Sequence, residues 1–243
     1  MFVHVSGIEY LRKDRVKVAD PSLFQTYFNQ RKLNAPAFNY DKDKGFIPTE
    51  NTNKIVDTFR SLTGKGLDIR PANSVMAQGG KPIWGSGGGE AVLGAGVGYV
   101  DPLMGNAHVV AHEGAHALMP SPLALFSRSN QPKIDPLSVS RDTGQRMRYV
   151  HETLSKPTME EEATAQGIAY GVLNKIGIPS QGQETWKSPL DYPRTYLDDG
   201  IGAYTRTEIG PPTPQETQEL ETILSSTNPF LQRMFQRGYN LVK

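Results

Sequence analysis

The chain has 243 residues, 37% of them hydrophobic and 21% charged, with 26 basic against 25 acidic side chains and no cysteine. That length allows one large domain or two small ones around a core that needs no covalent staples. The lack of cysteine excludes disulfide scaffolds, thiolate-held zinc and thiol nucleophiles, so a metal would have to sit on His and carboxylates. The near balance of charge leaves no electrostatic footprint for nucleic acid or an anionic membrane.

No apolar run near the N-terminus has the length of a signal-peptide core. The most apolar stretch, Ala91 to Val100, is about half the ~20 residues of a membrane span and is broken by glycines. The expected location is the cytoplasm or a larger assembly such as a virion, with polypeptides or small molecules as partners.

Asp20-Pro21 reads as an N-cap followed by proline at the first helical position, and Leu23, Tyr27 and Phe28 recur at helical spacing, which predicts a helix over 21–32. Residues 34–50 carry turn chemistry in Asn34, Pro36, Asn39, Asp41, Asp43, Gly45 and Pro48. A second helix is predicted over 52–63, with Ile55, Phe59 and Leu62 on one face and Gly64 as its stop, followed by a strand near 67–70. From Gly79 to Gly98 glycine is dense. The first part reads as a mobile loop, and Ala91 to Tyr99 alternates as one strand whose glycine face admits another backbone. Phosphate binding is not expected there, because Gly94 to Gly98 lacks the GxGxxG spacing and no Lys-Ser/Thr pair follows.

Asn106 then caps a helix containing His112-Glu113-Gly114-Ala115-His116, an HExxH motif. Residues four apart on a helix stand ~5–6 Å apart at Cβ, so two imidazoles can grip one tetrahedral ion. Glu113, one step round, reaches a metal-bound water rather than the metal and can take its proton. Met119-Pro120-Ser121-Pro122 ends the helix. His108 continues the stripe, but three residues in line span ~12 Å, too far for the outer two to share an ion with the middle one. It reads as a residue behind the ligands or a structural one. The longer three-His zincin pattern would need glycine at 119 and histidine at 122, where this chain has Met119 and Pro122.

An open zinc site needs a third protein ligand, and the remaining supply is Glu160-Glu161-Glu162 at the head of a helix running to Lys175. Here the sequence resembles the gluzincin branch of the zincin metallopeptidases, whose HExxH is followed by a glutamate ligand on a second helix. The local match is Glu160-Glu161-Glu162-Ala163-Thr164, with Thr164 where that pattern has Asp or Asn. The order strand, HExxH helix, long connection, Glu-bearing helix and Lys175-Ile176-Gly177-Ile178-Pro179 ending looks like the small domain of ImmA/IrrE-type peptidases, over residues 90–180. The resemblance implies an α+β, zincin-like fold, a small mixed sheet packed against an HExxH helix and a Glu-bearing helix.

Thr158 and Glu161 fit a capping box, which gives Glu161 a local task. Glu160 heads a column of small residues, Ala163, Thr164, Gly167 and Gly171, able to approach Ala111, Gly114 and Ala115 of the HExxH helix. Glu160 is therefore the favoured third ligand, with Glu161 and Glu162 as alternatives. Between the helices a further helix over 143–154 carries Tyr149 and His151, which read as ordinary amphipathic-helix residues.

Beyond Pro179 the chain is turn-rich. A helix is predicted from a Thr213 capping box to about 225 and a last one from Pro229 to Arg237, stopped by Gly238. The expected organisation is a metallopeptidase domain over 1–184 and a peripheral extension over 185–243, an arm that could meet a protein partner. The leading functional expectation is a zinc (Zn2+) peptidase with His112, His116 and Glu160 as metal ligands and Glu113 as catalytic base, acting on a polypeptide. The alternative is a non-enzymatic structural or assembly protein, such as a virion component, that keeps a zincin-like fold. A third is a hydrolase of a non-peptide amide.

Overall fold

The computed structural model of the protein describes residues 35–41, 43–71, 89–92, 95–102, 105–119, 156–180, 188–197 and 214–243. The expected helices over 21–32 and 143–154, the loop from Gly79 to Gly88, Thr213, Tyr149 and His151 lie outside them. The described residues form five helices and two small sheets, an α+β chain. None of these helices is long and apolar enough to cross a membrane.

The chain divides into two units, Met1–Asn130 with Val172–Gln181, and Gln131–Gly171 with Gly182–Lys243. The division between Gly171 and Val172 passes through a helix.

In the first unit, the segment read as turn chemistry holds a hairpin, β1 (Phe38–Asp41) against β2 (Gly45–Pro48), antiparallel with Phe38 opposite Pro48. The turn residues do their expected work only at its tip, where Asp41 Oδ1 accepts from the Asp43 and Lys44 amides and Gly45 takes φ 77°. Flanking aromatics, Phe38, Tyr40 and Phe46, supply the cross-strand contacts that make strands of the rest.

Helix α1 (Glu50–Thr63) starts on Thr49, whose hydroxyl accepts from the Thr52 amide, and ends on Gly64 at φ 67°, a left-handed cap that glycine adopts without a Cβ penalty. It buries Ile55 and Phe59, while Leu62, expected on the same face, is 39% exposed.

The three-stranded sheet has the order β3 (Asp68–Pro71), β5 (Val97–Val100), β4 (Gly89–Val92). β3 runs parallel to β5 and β4 antiparallel to it. The single strand expected over 91–99 is thus two strands, reversed at Gly96 with φ 69°. The alternation that suggested one strand continues through the turn, so periodicity alone did not register the reversal.

Helix α2 (Ala107–Leu118) begins on Asn106, whose Oδ1 accepts from the Val109 amide. It is fixed at both ends. The Ala107 amide donates to Ala35 O at 2.8 Å, and the Gly96 amide at the β4–β5 turn donates to Ala117 O at 2.9 Å. The buried polar ends of the helix are therefore satisfied by the two segments that flank it.

In the second unit, most of α3 (Lys156–Lys175) packs with a helix over 191–197, α4, and with α5 (Pro214–Asn240). Met159, Ala163, Leu197, Ile223 and Leu231 are its buried apolar core. Residues within 185–243 therefore complete a core with α3. The two helices expected at the C-terminus are one, with Pro229 inside it. Proline removes the amide that would serve Ser225 O. Ser225, Ser226 and Thr227 hydroxyls meanwhile bond back to the carbonyls of Thr222 and Ile223, at 3.0, 3.0 and 2.7 Å. Gly238 is not a stop either, since the helix runs past it and its bare Cα lies against Thr164 O. At the far end of α3 the Val172–Gln181 stretch of the first unit closes with Gly177 at φ 71° and the Ile178 amide on Leu173 O at 3.0 Å.

Candidate metal centre

Helical geometry alone puts the two imidazoles together. His112 Nε2 and His116 Nε2 stand 3.1 Å apart, with ring planes 80° to one another. Two nitrogens 2.0–2.1 Å from one tetrahedral ion are ~3.3 Å apart, so the pair fits such an ion with little adjustment. Without an ion the same separation is an imidazole–imidazole hydrogen bond, with one ring donating and the other accepting. His108 stacks on His112 at 6.5 Å between ring centroids and contributes no atom to the cluster.

His112, His116 and Glu162 each offer one ligand atom, and these atoms lie within 4.8 Å of one another, so the group could hold a metal ion. All three are buried, at 7%, 6% and 9% exposure. Glu162 is the glutamate in this group of possible ligands, and Glu160, the favoured expectation, is not in it.

Within the second unit the surroundings of these glutamates differ. The helix starts at Lys156, not at Glu160, so Thr158 sits inside its first turn instead of capping it. The column of small residues behind Glu160 receives α5. A Cβ at Gly167 would collide with Phe235 O and stand 2.8 Å from Tyr239 N, and Gly171 faces Val242 and Tyr239 O. Glu160 lies on that side, with its side chain 44% exposed and 3.5 Å from Arg237 Nη1. Glu162 is ~200° round the helix from it and points away from that contact. The matching small residue of α2 is engaged elsewhere too, since a Cβ at Gly114 would stand 2.8 Å from Phe59 Cε2 and 2.9 Å from Leu67 Cδ2.

Glu113 is buried at 9% exposure beside the two histidines in sequence, with its side chain against the sheet. Sequence reasoning passed over Gly89 and Gly98, the strand residues it lies against. For Gly98 the signal was the alternation of Gly94, Gly96 and Gly98, which reads as a face that admits another backbone; Gly89 lies before that run and carries no such signal. No family model, curated protein or solved structure matches this chain.

Proposed function

We propose that the protein is a zinc-dependent hydrolase of peptide bonds, with His112, His116 and Glu162 as metal ligands and Glu113 as general base. The observation that carries the reading is the buried His112, His116 and Glu162 group, in which three neutral-or-anionic donors converge within 4.8 Å around one helix's HExxH motif. Two imidazoles and one carboxylate are the donor set of a catalytic zinc site that keeps one position open. Zinc is favoured over magnesium or calcium, which take mainly oxygen ligands.

A bound zinc ion would supply Lewis acidity and bring a water's pKa from ~15.7 toward ~7. The chain's own part is the rest. His112 and His116 are oriented by the capped, doubly anchored α2, so little rearrangement is needed to present both Nε2 atoms. Glu162 adds a negative charge that helps retain a dication. Glu113 takes the proton of the attacking water on its carboxylate and can pass it to the leaving amine, the two halves of general acid–base catalysis.

The test is elemental analysis of the purified protein together with Glu113→Gln. About one zinc per chain is expected, and the variant should keep the metal and lose hydrolysis of casein or a quenched peptide library. A protein that carries no zinc and takes none up on titration overturns the reading. Hydrolysis confined to small non-peptide amides would keep the metal chemistry and replace the substrate.

A further inference from the structure

The carboxylate of Glu113 rests in a trough of missing side chains. A Cβ at Gly89 would stand 2.6 Å from Glu113 Cγ, 2.8 Å from its Oε1 and 2.8 Å from Val109 Cγ1, all well inside van der Waals contact. One strand over, a Cβ at Gly98 would stand 3.4 Å from Glu113 Cβ and 2.9 Å from Ile69 Cδ1. Gly98 pairs with Ala91 and Gly89 with Val100, so these four residues share one face of the sheet. That face presents two glycines to the one side chain of α2 assigned to proton transfer.

The helix has no room to withdraw. Gly114 lies against Phe59 and Leu67, and the helix ends are tied to Ala35 O and the Gly96 amide. A methyl added on β4 would therefore be accommodated by rotation of the Glu113 and Val109 side chains, Glu113 being the closer, and not by movement of α2, because packed cores leave few other low-energy adjustments. A displacement of ~1 Å at a reacting group can cost about 10²-fold in rate.

We propose that Gly89 is a positioning residue for Glu113: its bare Cα on the edge strand β4 leaves the volume in which the carboxylate arm rests, and so fixes where the base stands. The assignment of a catalytic purpose to this contact rests on the reading of Glu113 as general base.

The experiment has two arms. In the first, thermal unfolding of the metal-free protein compares wild type, Gly89→Ala, Glu113→Ala and the double variant. Gly89→Ala should lower the midpoint by roughly 4–10 °C, and by less than about half as much when Glu113 is already alanine. Additive losses overturn the proposal, as does a double variant that folds no better than Gly89→Ala alone. The second arm loads each protein with Co2+ and records its visible absorption. Gly89→Ala should shift the bands in the direction that Glu113→Gln shifts them, with Co2+ affinity changed less than about 3-fold, below the 10–100-fold loss typical of disturbed ligand support. A wild-type spectrum in Gly89→Ala beside an altered one in Glu113→Gln overturns the positioning role. Failure of Co2+ to bind, or no change in Glu113→Gln, instead removes the metal reading, and the unfolding cycle still decides whether Gly89 holds Glu113.

Discussion

Every residue of α2 except Val109 is buried, whereas the first turns of α3 are mixed, with Thr158, Glu160 and Glu161 half-buried and Met159, Glu162 and Ala163 inside. The two helices would supply donors to the proposed metal group in different ways. On α2 the relation between ligands is internal to the helix: i and i+4 are neighbours wherever the helix packs. On α3 three consecutive carboxylates project ~100° apart, and only the neighbours on each face decide which one is drawn in. The lesson is that a ligand pair on one helix is a local property, while a single ligand contributed by another helix is a property of packing.

The strongest way to break the comparison is to attack the face of α3 that fixes its rotation. In Gly167→Ala the new methyl would collide with Phe235 O and press on Tyr239 N, backbone atoms that cannot rotate away. Alanine gains ~1 kcal/mol in helix propensity, but the overpacking should cost more, for a net loss of about 2–3 kcal/mol by chemical denaturation. Gly114→Ala on α2 is the matched control. Its methyl meets the side-chain atoms Phe59 Cε2 and Leu67 Cδ2, which can tilt, and the loss should be clearly smaller. Equal losses would mean that the α3–α5 contact is no tighter than the α1–α2 one.

Glu162→Ala sharpens the comparison at the metal. Removing the buried carboxylate should weaken zinc binding about 10- to 100-fold, read by competition with a chromophoric chelator. The histidine pair would still offer two nitrogens, so binding should fall without vanishing. Unchanged affinity in this variant would take Glu162 out of the ligand set.

How much of this was legible follows from the same distinction. The HExxH helix, its Asn106 cap, the body of α1 with its Gly64 stop and the strand at Asp68 were readable because caps, spacing and stops act within a few residues, while the Thr49 cap of α1 was not read. The β4–β5 reversal was hidden because Ala95-Gly96 continues the alternation of its flanks, and only the sheet shows the antiparallel register. The single C-terminal helix was hidden because proline is ordinarily a stop signal, whereas this helix runs through Pro229. Among the three adjacent glutamates the sequence favoured Glu160, whereas Glu162 is the one grouped with His112 and His116. A small-residue column correctly marked a close helix crossing, but the sequence does not say which helix crosses there, and Gly238 of α5 was read as a terminator.

The smallest expected effect is also the most discriminating. Glu160→Ala removes a carboxylate two residues from Glu162, with the same chemistry and on the same helix. Its side chain is 44% exposed and its partner Arg237 65% exposed, with 3.5 Å between the charged atoms. Exposed pairs of this kind contribute ~0–1 kcal/mol, since water and salt screen most of the attraction and two long side chains must be ordered to make it. The variant should therefore unfold within about 0.5 kcal/mol of wild type and bind zinc with unchanged affinity. Raising salt should erase even that difference, because screening acts on the ion pair and not on the packing beneath it. Loss of zinc in Glu160→Ala with retention in Glu162→Ala would reverse the order of the two carboxylates. It would require α3 to be turned by roughly half a revolution about its axis. The contacts of Gly167 and Gly171 with α5 would then have to be broken together, so that outcome should be accompanied by tolerance of Gly167→Ala.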